Sequence, residues 1–159
     1  MTPPRDAAGK VMSWNALQEW RREFWGRVVF TNGVFDLLHP GHIDIISAAR
    51  RAGDALVVGV NGDASVRRLK GDSRPIRSQE ERAYVVAALE SVDVVTVFDE
   101  DTPLELVRWL EPDVIVKGGD YTEATIVGAA EVRARGGEVL VIPLTPGQST
   151  TSIIERMRG

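Results

Sequence analysis

The stretch Arg27-Val-Val-Phe-Thr-Asn32-Gly-Val-Phe-Asp-Leu-Leu-His39-Pro-Gly-His42-Ile-Asp-Ile-Ile-Ser-Ala-Ala-Arg50-Arg-Ala-Gly53 leads through Asp54 into Ala55-Leu-Val-Val-Gly-Val60. Residues 27–32 are a short β-branched run suited to a buried strand. Across 41–53 the period lengthens: Ile43, Ile46 and Ala49/Arg50 fall on successive helical turns, and Gly53 supplies a stop. Residues 55–60 are apolar throughout, a second buried strand. Strand, helix and strand in this order predict a parallel pair joined by a right-handed crossover.

The same alternation continues outward. Residues 93–98 (DVVTVF), 113–118 (DVIVKG) and 138–143 (EVLVIP) read as three further strands. Between them, Ser78-Gln-Glu-Glu81 is a capping box that opens a helix over 79–90. Thr102-Pro-Leu-Glu105 is a second box with proline at the first helical position. A helix near 123–135 ends at Gly136-Gly137, and a last helix runs from Thr150 to Met157. Asn61-Gly62-Asp63 reads as a turn and 71–77 as a polar loop. The expected fold is α/β, a doubly wound (Rossmann-like) five-stranded parallel sheet in a single domain. Upstream of it, 1–12 reads as a flexible tail. Residues 13–26 read as a helix with Trp14, Leu17, Trp20 and Phe24 at helical spacing, Ser13 as cap and Gly26 as stop. Its aromatic residues, Trp25 included, are expected to pack on the sheet edge or to form a subunit interface. The domain proper spans 27–159. Ligands of such sheets sit beyond the C-terminal strand ends, which directs attention to the residues just after 32, 60, 98, 117 and 142.

Composition narrows the chemistry. The 159 residues hold 19 Lys and Arg against 23 Asp and Glu, a net charge of −4, which argues against a nucleic-acid partner. Cysteine is absent, so thiolate nucleophiles and Cys-ligated metals are excluded. No apolar run is long enough to span a bilayer, and MTPPRDAAGK lacks the apolar core of a secretory signal. A cytoplasmic protein that uses neither membrane nor nucleic acid is expected.

The turn after the first strand carries the chemistry. GxGxxG and GxxxxGK[ST] are both missing, which argues against ordinary dinucleotide and P-loop binding. Instead the chain's 2 histidines, His39 and His42, stand three residues apart at a helix start. His39 is expected near the N-cap and His42 in the first turn, facing the strand ends. The helix N-terminus favours phosphate, and Gly33 and Gly41 permit close backbone approach. Two other uses of the pair remain open at this point: a metal site, for which no third His or Cys exists, and a cap plus a satisfied core histidine.

The string Thr31-Asn-Gly-Val-Phe-Asp-Leu-Leu-His-Pro-Gly-His42 resembles the HxGH nucleotidyltransferase superfamily. VNGDASVRRLKGDSRPI (60–76), QEER (79–82), VKGGDY (116–121), GGEVLVIP (136–143) and STTSII (149–154) resemble, within it, the heptose 1-phosphate adenylyltransferases, the adenylyltransferase domains of ADP-heptose synthases. The resemblance covers residues 27–157. It implies that ATP and D-glycero-β-D-manno-heptose 1-phosphate react to give ADP-heptose and pyrophosphate. The nucleophile is then an already ionised phosphate monoester, so positioning and charge neutralisation suffice.

The resemblance assigns His39, His42 and Lys70 as catalytic. It gives Thr31, Asn32, Gly33, Phe35, His42, Lys117, Gly118, Asp120, Ser149, Thr150 and Thr151 to the nucleotide. Lys70, Arg74 and Arg82 fall to substrate phosphate, with Arg77 a further candidate and Arg82 equally able to brace the site. Asp36 is open between bracing the loop and holding Mg²⁺, which is expected with ATP. At least a dimer is expected. Glycerol-phosphate cytidylyltransferases carry R-T-x-G-I-S-T-T before the last helix, whereas here the segment is Leu144-Thr-Pro-Gly-Gln-Ser-Thr-Thr151. The missing arginine counts against that subgroup. Many ADP-heptose synthases fuse a sugar kinase to this domain; a separate kinase and phosphatase are expected here. The alternatives are a cytidylyltransferase or FAD-synthetase-like enzyme, and a nucleotide-binding module without catalysis.

Overall fold

In the computed structural model, residues 5–119, 121–144, 146–147 and 149–159 are described. Five parallel strands form the sheet: β1 (Val28–Gly33), β2 (Ala55–Asn61), β3 (Val94–Phe98), β4 (Val114–Gly118) and β5 (Glu138–Ile142). Their order is β3-β2-β1-β4-β5. The chain winds outward from β1 to β3, crosses back beside β1, and winds outward again. This is the doubly wound arrangement the sequence predicts, and its reversal lies between β1 and β4.

Strand periodicity explains why both faces are covered. Val29, Leu56, Val58, Val95, Val114 and Val116 point to one face, where they meet Ile46 and Ala49 of α3 (Pro40–Arg51) and Ala83 and Val86 of α5 (Gln79–Ala87). Val28, Phe30, Val57, Val94 and Ile115 point to the other. There they meet Leu17 of α2 (Trp14–Glu23), Leu106, Val107 and Leu110 of α6 (Leu104–Leu110), and Val132 of α7 (Ala129–Ala134). Period-two side chains that are apolar on both faces demand two helical layers. The remaining helices are α1 (Ala7–Lys10), α4 (Asp63–Lys70) and α8 (Thr150–Arg158).

Several expectations are corrected. Residues 5–12, part of the segment expected as a flexible tail, lie along the outer edge of β3. Asp6 caps α1, Val11 bridges Val95, and the Met12 N–H donates to the Val95 carbonyl at 2.8 Å. Thr96 Oγ1 donates to the Met12 carbonyl at 2.8 Å, and Arg5 pairs with Asp93 at 2.6 Å. An open sheet edge offers unpaired backbone groups, and this segment takes up one of them, the Val95 carbonyl. The residues after β2, read as a turn and loop, include α4; Gly62 is its N-cap and Asp63 its first residue. The helix expected over 123–135 is a 3₁₀ turn (Glu123–Thr125) and α7, separated at Gly128, whose φ of 89° no helix continues through. The box at Thr102 does not form: Pro103 is itself the cap of α6, with no side-chain bond.

Trp14, Trp20 and Phe24 pack against the sheet as expected, and Trp14 Nε1 donates to the Val97 carbonyl at 2.9 Å. Trp25 is 97% exposed. Among the described residues, no helix is long and apolar enough to cross a membrane.

Candidate active site

The reversal between β1 and β4 opens a cavity of about 370 Å³ beyond the strand ends. β1 contributes Thr31, Asn32 and Gly33, and the loop after it contributes Phe35. Phe35 takes a left-handed backbone conformation (φ 51°), sparsely populated for a bulky residue. Its ring lies 5.2 Å from that of His42.

His39 is the N-cap of α3. Its Nδ1 accepts the Gly41 N–H at 3.1 Å, and the His42 Nδ1 accepts the His39 N–H at 3.3 Å. The two rings stack with centroids 3.8 Å apart. An imidazole nitrogen that accepts a backbone N–H carries no proton, so in the neutral ring the proton resides on Nε2. Both rings are thereby fixed as Nε2–H donors. Burial, and secondarily the neighbouring His39, pushes the His42 pKa down to about 4; burial also lowers that of His39. The pair is neutral at pH 7 and serves as helix cap and donor at once. Among the described residues no cluster of three His, Asp or Glu includes it.

Lys70 is the last residue of α4 and stands exposed at the cavity rim. Lys117 and Gly118 enter from the end of β4. A side chain at Gly118 would collide with Ile45 of α3, so glycine permits the helix to approach. Burial pushes the Lys117 pKa down to about 8, and its Nζ lies 5.7 Å from the Tyr121 ring centre. Ser149 caps α8 by accepting the Ser152 N–H at 3.0 Å, and Thr150 Oγ1 donates to the Leu37 carbonyl at 3.0 Å. Ser149, Thr150 and Thr151 all line the cavity. Thr31 Oγ1 is spent on the Val116 carbonyl at 2.8 Å, tying β1 to β4.

Three predicted phosphate or metal residues stand behind the cavity. Arg82 is 1% exposed. It donates to the carbonyls of Arg77, Val34 and Asn61 and pairs with Asp63 at 2.8 Å. These bonds tie the loop after β1, the end of β2 and the start of α5 together. Asp36, also buried, accepts the N–H groups of Ile76 and Arg77 and pairs with Arg74 at 2.8 Å. Burial works to raise its pKa, but the N–H groups of Arg77 and Ile76 and the Arg74 guanidinium outweigh it and hold the carboxyl below its usual range. With both oxygens occupied, Asp36 does not fit a magnesium ligand, and no described cavity residue carries a carboxylate. Arg74 and Arg82 do not line the cavity, and Arg77 is exposed outside it. Asp120 lies outside the described residues.

Val34, Ile45, Asn61, Tyr121 and Leu144 line the cavity without having been singled out. Asn61 ends β2 and donates to Ser65 Oγ at 3.1 Å; its place at a strand end was the available signal. A larger groove of about 530 Å³ separates α2 from α6 and is lined by Arg21, Arg22, Glu105 and Arg108 among others. It lies away from the strand ends, and Arg21 and Arg108 are ion-paired there.

A doubly wound sheet whose reversal opens on imidazole donors, lysines and a helix start is a phosphate-handling architecture. The chain belongs to the cytidylyltransferase-like family, whose profile matches residues 30–156. It is 60% identical over 142 residues to the bifunctional protein HldE of Rhodopseudomonas palustris strain HaA2, covering 89% of this chain and 29% of that protein. It is 51% identical over 159 residues to that of Gluconobacter oxydans strain 621H, covering 100% of this chain and 32% of that protein. The chain thus spans about a third of these relatives. A solved structure described as the lipopolysaccharide core biosynthesis protein from Thermoplasma volcanium GSS1 superposes with a TM-score of 0.62 at 30% identity, over 76% of this chain and 97% of that one. The pantoate-beta-alanine ligase of Francisella tularensis shares the fold, with a TM-score of 0.63 at 14% identity, over 92% of this chain and 72% of that one.

Proposed function

We propose that the chain is an adenylyltransferase that joins AMP from ATP to D-glycero-β-D-manno-heptose 1-phosphate, giving ADP-heptose and pyrophosphate. The observation that carries this reading is the pair of capped, neutral imidazoles directed by their own hydrogen bonds into Nε2–H donors at the cavity. Identity to the HldE proteins and likeness to the lipopolysaccharide core biosynthesis protein support the sugar assignment.

An oxygen of the sugar phosphate attacks the α-phosphorus of ATP. A new phosphoanhydride bond forms, the α–β bond breaks, and its electron pair leaves on pyrophosphate. No proton needs to be removed from the nucleophile, so no general base is required. His39 and His42 donate to phosphate oxygens as charge grows on them. Lys70 reaches from the rim and adds positive charge. Thr31, Asn32, Gly33, Phe35, Gly118 and the start of α8 at Ser149–Thr151 enclose the nucleotide. Arg82, Asp36 and Arg74 hold the surrounding loops. Magnesium arrives with the triphosphate as part of the substrate complex. The reaction runs in the cytoplasm, in at least a dimer.

The test is pyrophosphate release from ATP, Mg²⁺ and heptose 1-phosphate. Stoichiometric release with ADP-heptose is expected; none at all sinks the proposal. The family description keeps one rival in view, and CTP turnover without ATP turnover would establish it.

A further inference from the structure

Lys117 sits where a cation is costly. It lines the cavity from the end of β4 and is half-buried. The groups around it offer no counter-charge among the described residues. β1 presents Thr31 and Asn32, and α3 presents the neutral His39 and His42. The α4 terminus presents Lys70, another cation, and α8 presents Ser149, Thr150 and Thr151. Tyr121 meets it only through the ring face, a weak attraction at an exposed aromatic. Lysines that serve packing keep their ammonium in water, and buried structural ones acquire a partner, as Lys10 does with the Leu89 carbonyl at 3.2 Å. Among the described residues Lys117 has no such partner. An ammonium in a concave site whose described lining carries no carboxylate is complementary to an anion that enters from outside.

We propose that the Lys117 ammonium is the phosphate-binding cation inside the cleft, pairing with a phosphate of the nucleotide or of the sugar ester rather than with base or ribose, so that it selects phosphorylated ligands over their unphosphorylated counterparts. The idea rests on the transfer reaction proposed above and goes further by assigning the charge the neutral histidines do not supply. It carries a linkage. In the free protein the lysine loses its proton as pH rises through about 8. A bound phosphate restores it, so binding at higher pH takes up a proton.

Titration calorimetry of the wild type, Lys117→Met and Lys117→Arg tests this without turnover. The ligands are the α,β-methylene analogue of ATP, heptose 1-phosphate and adenosine. At pH 7 the methionine variant is expected to bind a phosphorylated ligand roughly 10-fold or more weakly, the loss of one charge-assisted contact. Its affinity for adenosine should stay within about twofold, and arginine should restore phosphate binding. Above pH 8 the wild-type affinity should fall with proton uptake, approaching a tenfold loss for each pH unit, while Lys117→Arg stays flat. Weakening of the ATP analogue identifies the nucleotide as the source of the phosphate; weakening of heptose 1-phosphate alone identifies the sugar ester. Equal weakening of adenosine, or phosphate binding indifferent to both substitutions, overturns the proposal. Pyrophosphate release by the wild type separates the two ideas. Turnover with Lys117-independent binding removes only the lysine assignment. Lys117-dependent binding without turnover removes only the transfer reaction.

Discussion

Truncating His42 to alanine removes a donor at the cavity and the acceptor that caps the His39 N–H. The cap is worth about 1 kcal/mol, too little to unfold a domain of this size, whereas a lost charge-stabilising donor costs about 10²-fold or more in turnover. His42→Ala should therefore fold, with a melting temperature lowered by a few degrees, and lose turnover by at least ~10²-fold. Near-normal turnover would make the imidazoles structural. The same residue sets a pH dependence. Its folded pKa of about 4 lies below the ordinary imidazole value of 6.5, so below pH 6.5 the unfolded chain binds the proton more readily. Stability contributed by the neutral ring is full above pH 6.5 and declines as pH falls toward about 4. Urea midpoints at pH 7 and pH 5 should diverge more for the wild type than for His42→Ala; equal divergence would contradict the assigned neutrality. At this scale the cavity was legible where residues cluster in a motif. Thr31, His39, His42 and Ser149 are examples. It was illegible where the role depends on a distant partner. The choice of Asp36 between brace and metal ligand was decided by Ile76 and Arg77. Ile45 carries no sequence mark that separates a cavity wall from ordinary packing.

Elements cooperate around the site through few, well-placed bonds. Asp36 fastens the 74–77 segment to the loop after β1, and Arg82 of α5 fastens that loop to β2. Asp36→Asn keeps the shape but sets an amide donor against backbone N–H groups and leaves Arg74 without its charge partner. Breaking a buried pair in this way costs about 3 kcal/mol, and chemical denaturation should show a loss of that order; an unchanged midpoint would mean the latch carries no stability. Removing residues 1–12 uncovers the outer edge of β3 and deletes the bonds to Val95 and from Thr96. At about 1 kcal/mol each, the deletion should cost roughly 2 kcal/mol, read as a fall in melting temperature. A truly flexible tail would leave it unchanged. The five strands and the helices flanked by Ser13 and Ser78 followed from periodicity and caps. The N-terminal segment did not, because pairing to a strand edge through Val11 and Met12 alone leaves no periodic signature. Nor did α4: its single turn-like start at Asn61-Gly62-Asp63 looks the same whether a loop or a helix follows.

At the scale of the molecule, winding and chemistry are one argument. Residues that alternate in the strands bury two faces under helices, which leaves only the strand ends open. The order β3-β2-β1-β4-β5 then places the gap between β1 and β4, where the imidazole pair, Lys117 and the start of α8 converge. The groove between α2 and α6 is larger, but Arg21 and Arg108 there are paired with acids of the same chain and Arg22 donates to the Gln18 amide oxygen. The most direct test is a crystal structure with the α,β-methylene analogue of ATP. The α-phosphate should lie within about 3 Å of the His42 Nε2, the reach of a hydrogen bond. A triphosphate seated in the α2–α6 groove, or anywhere beyond reach of both imidazoles, would contradict the account.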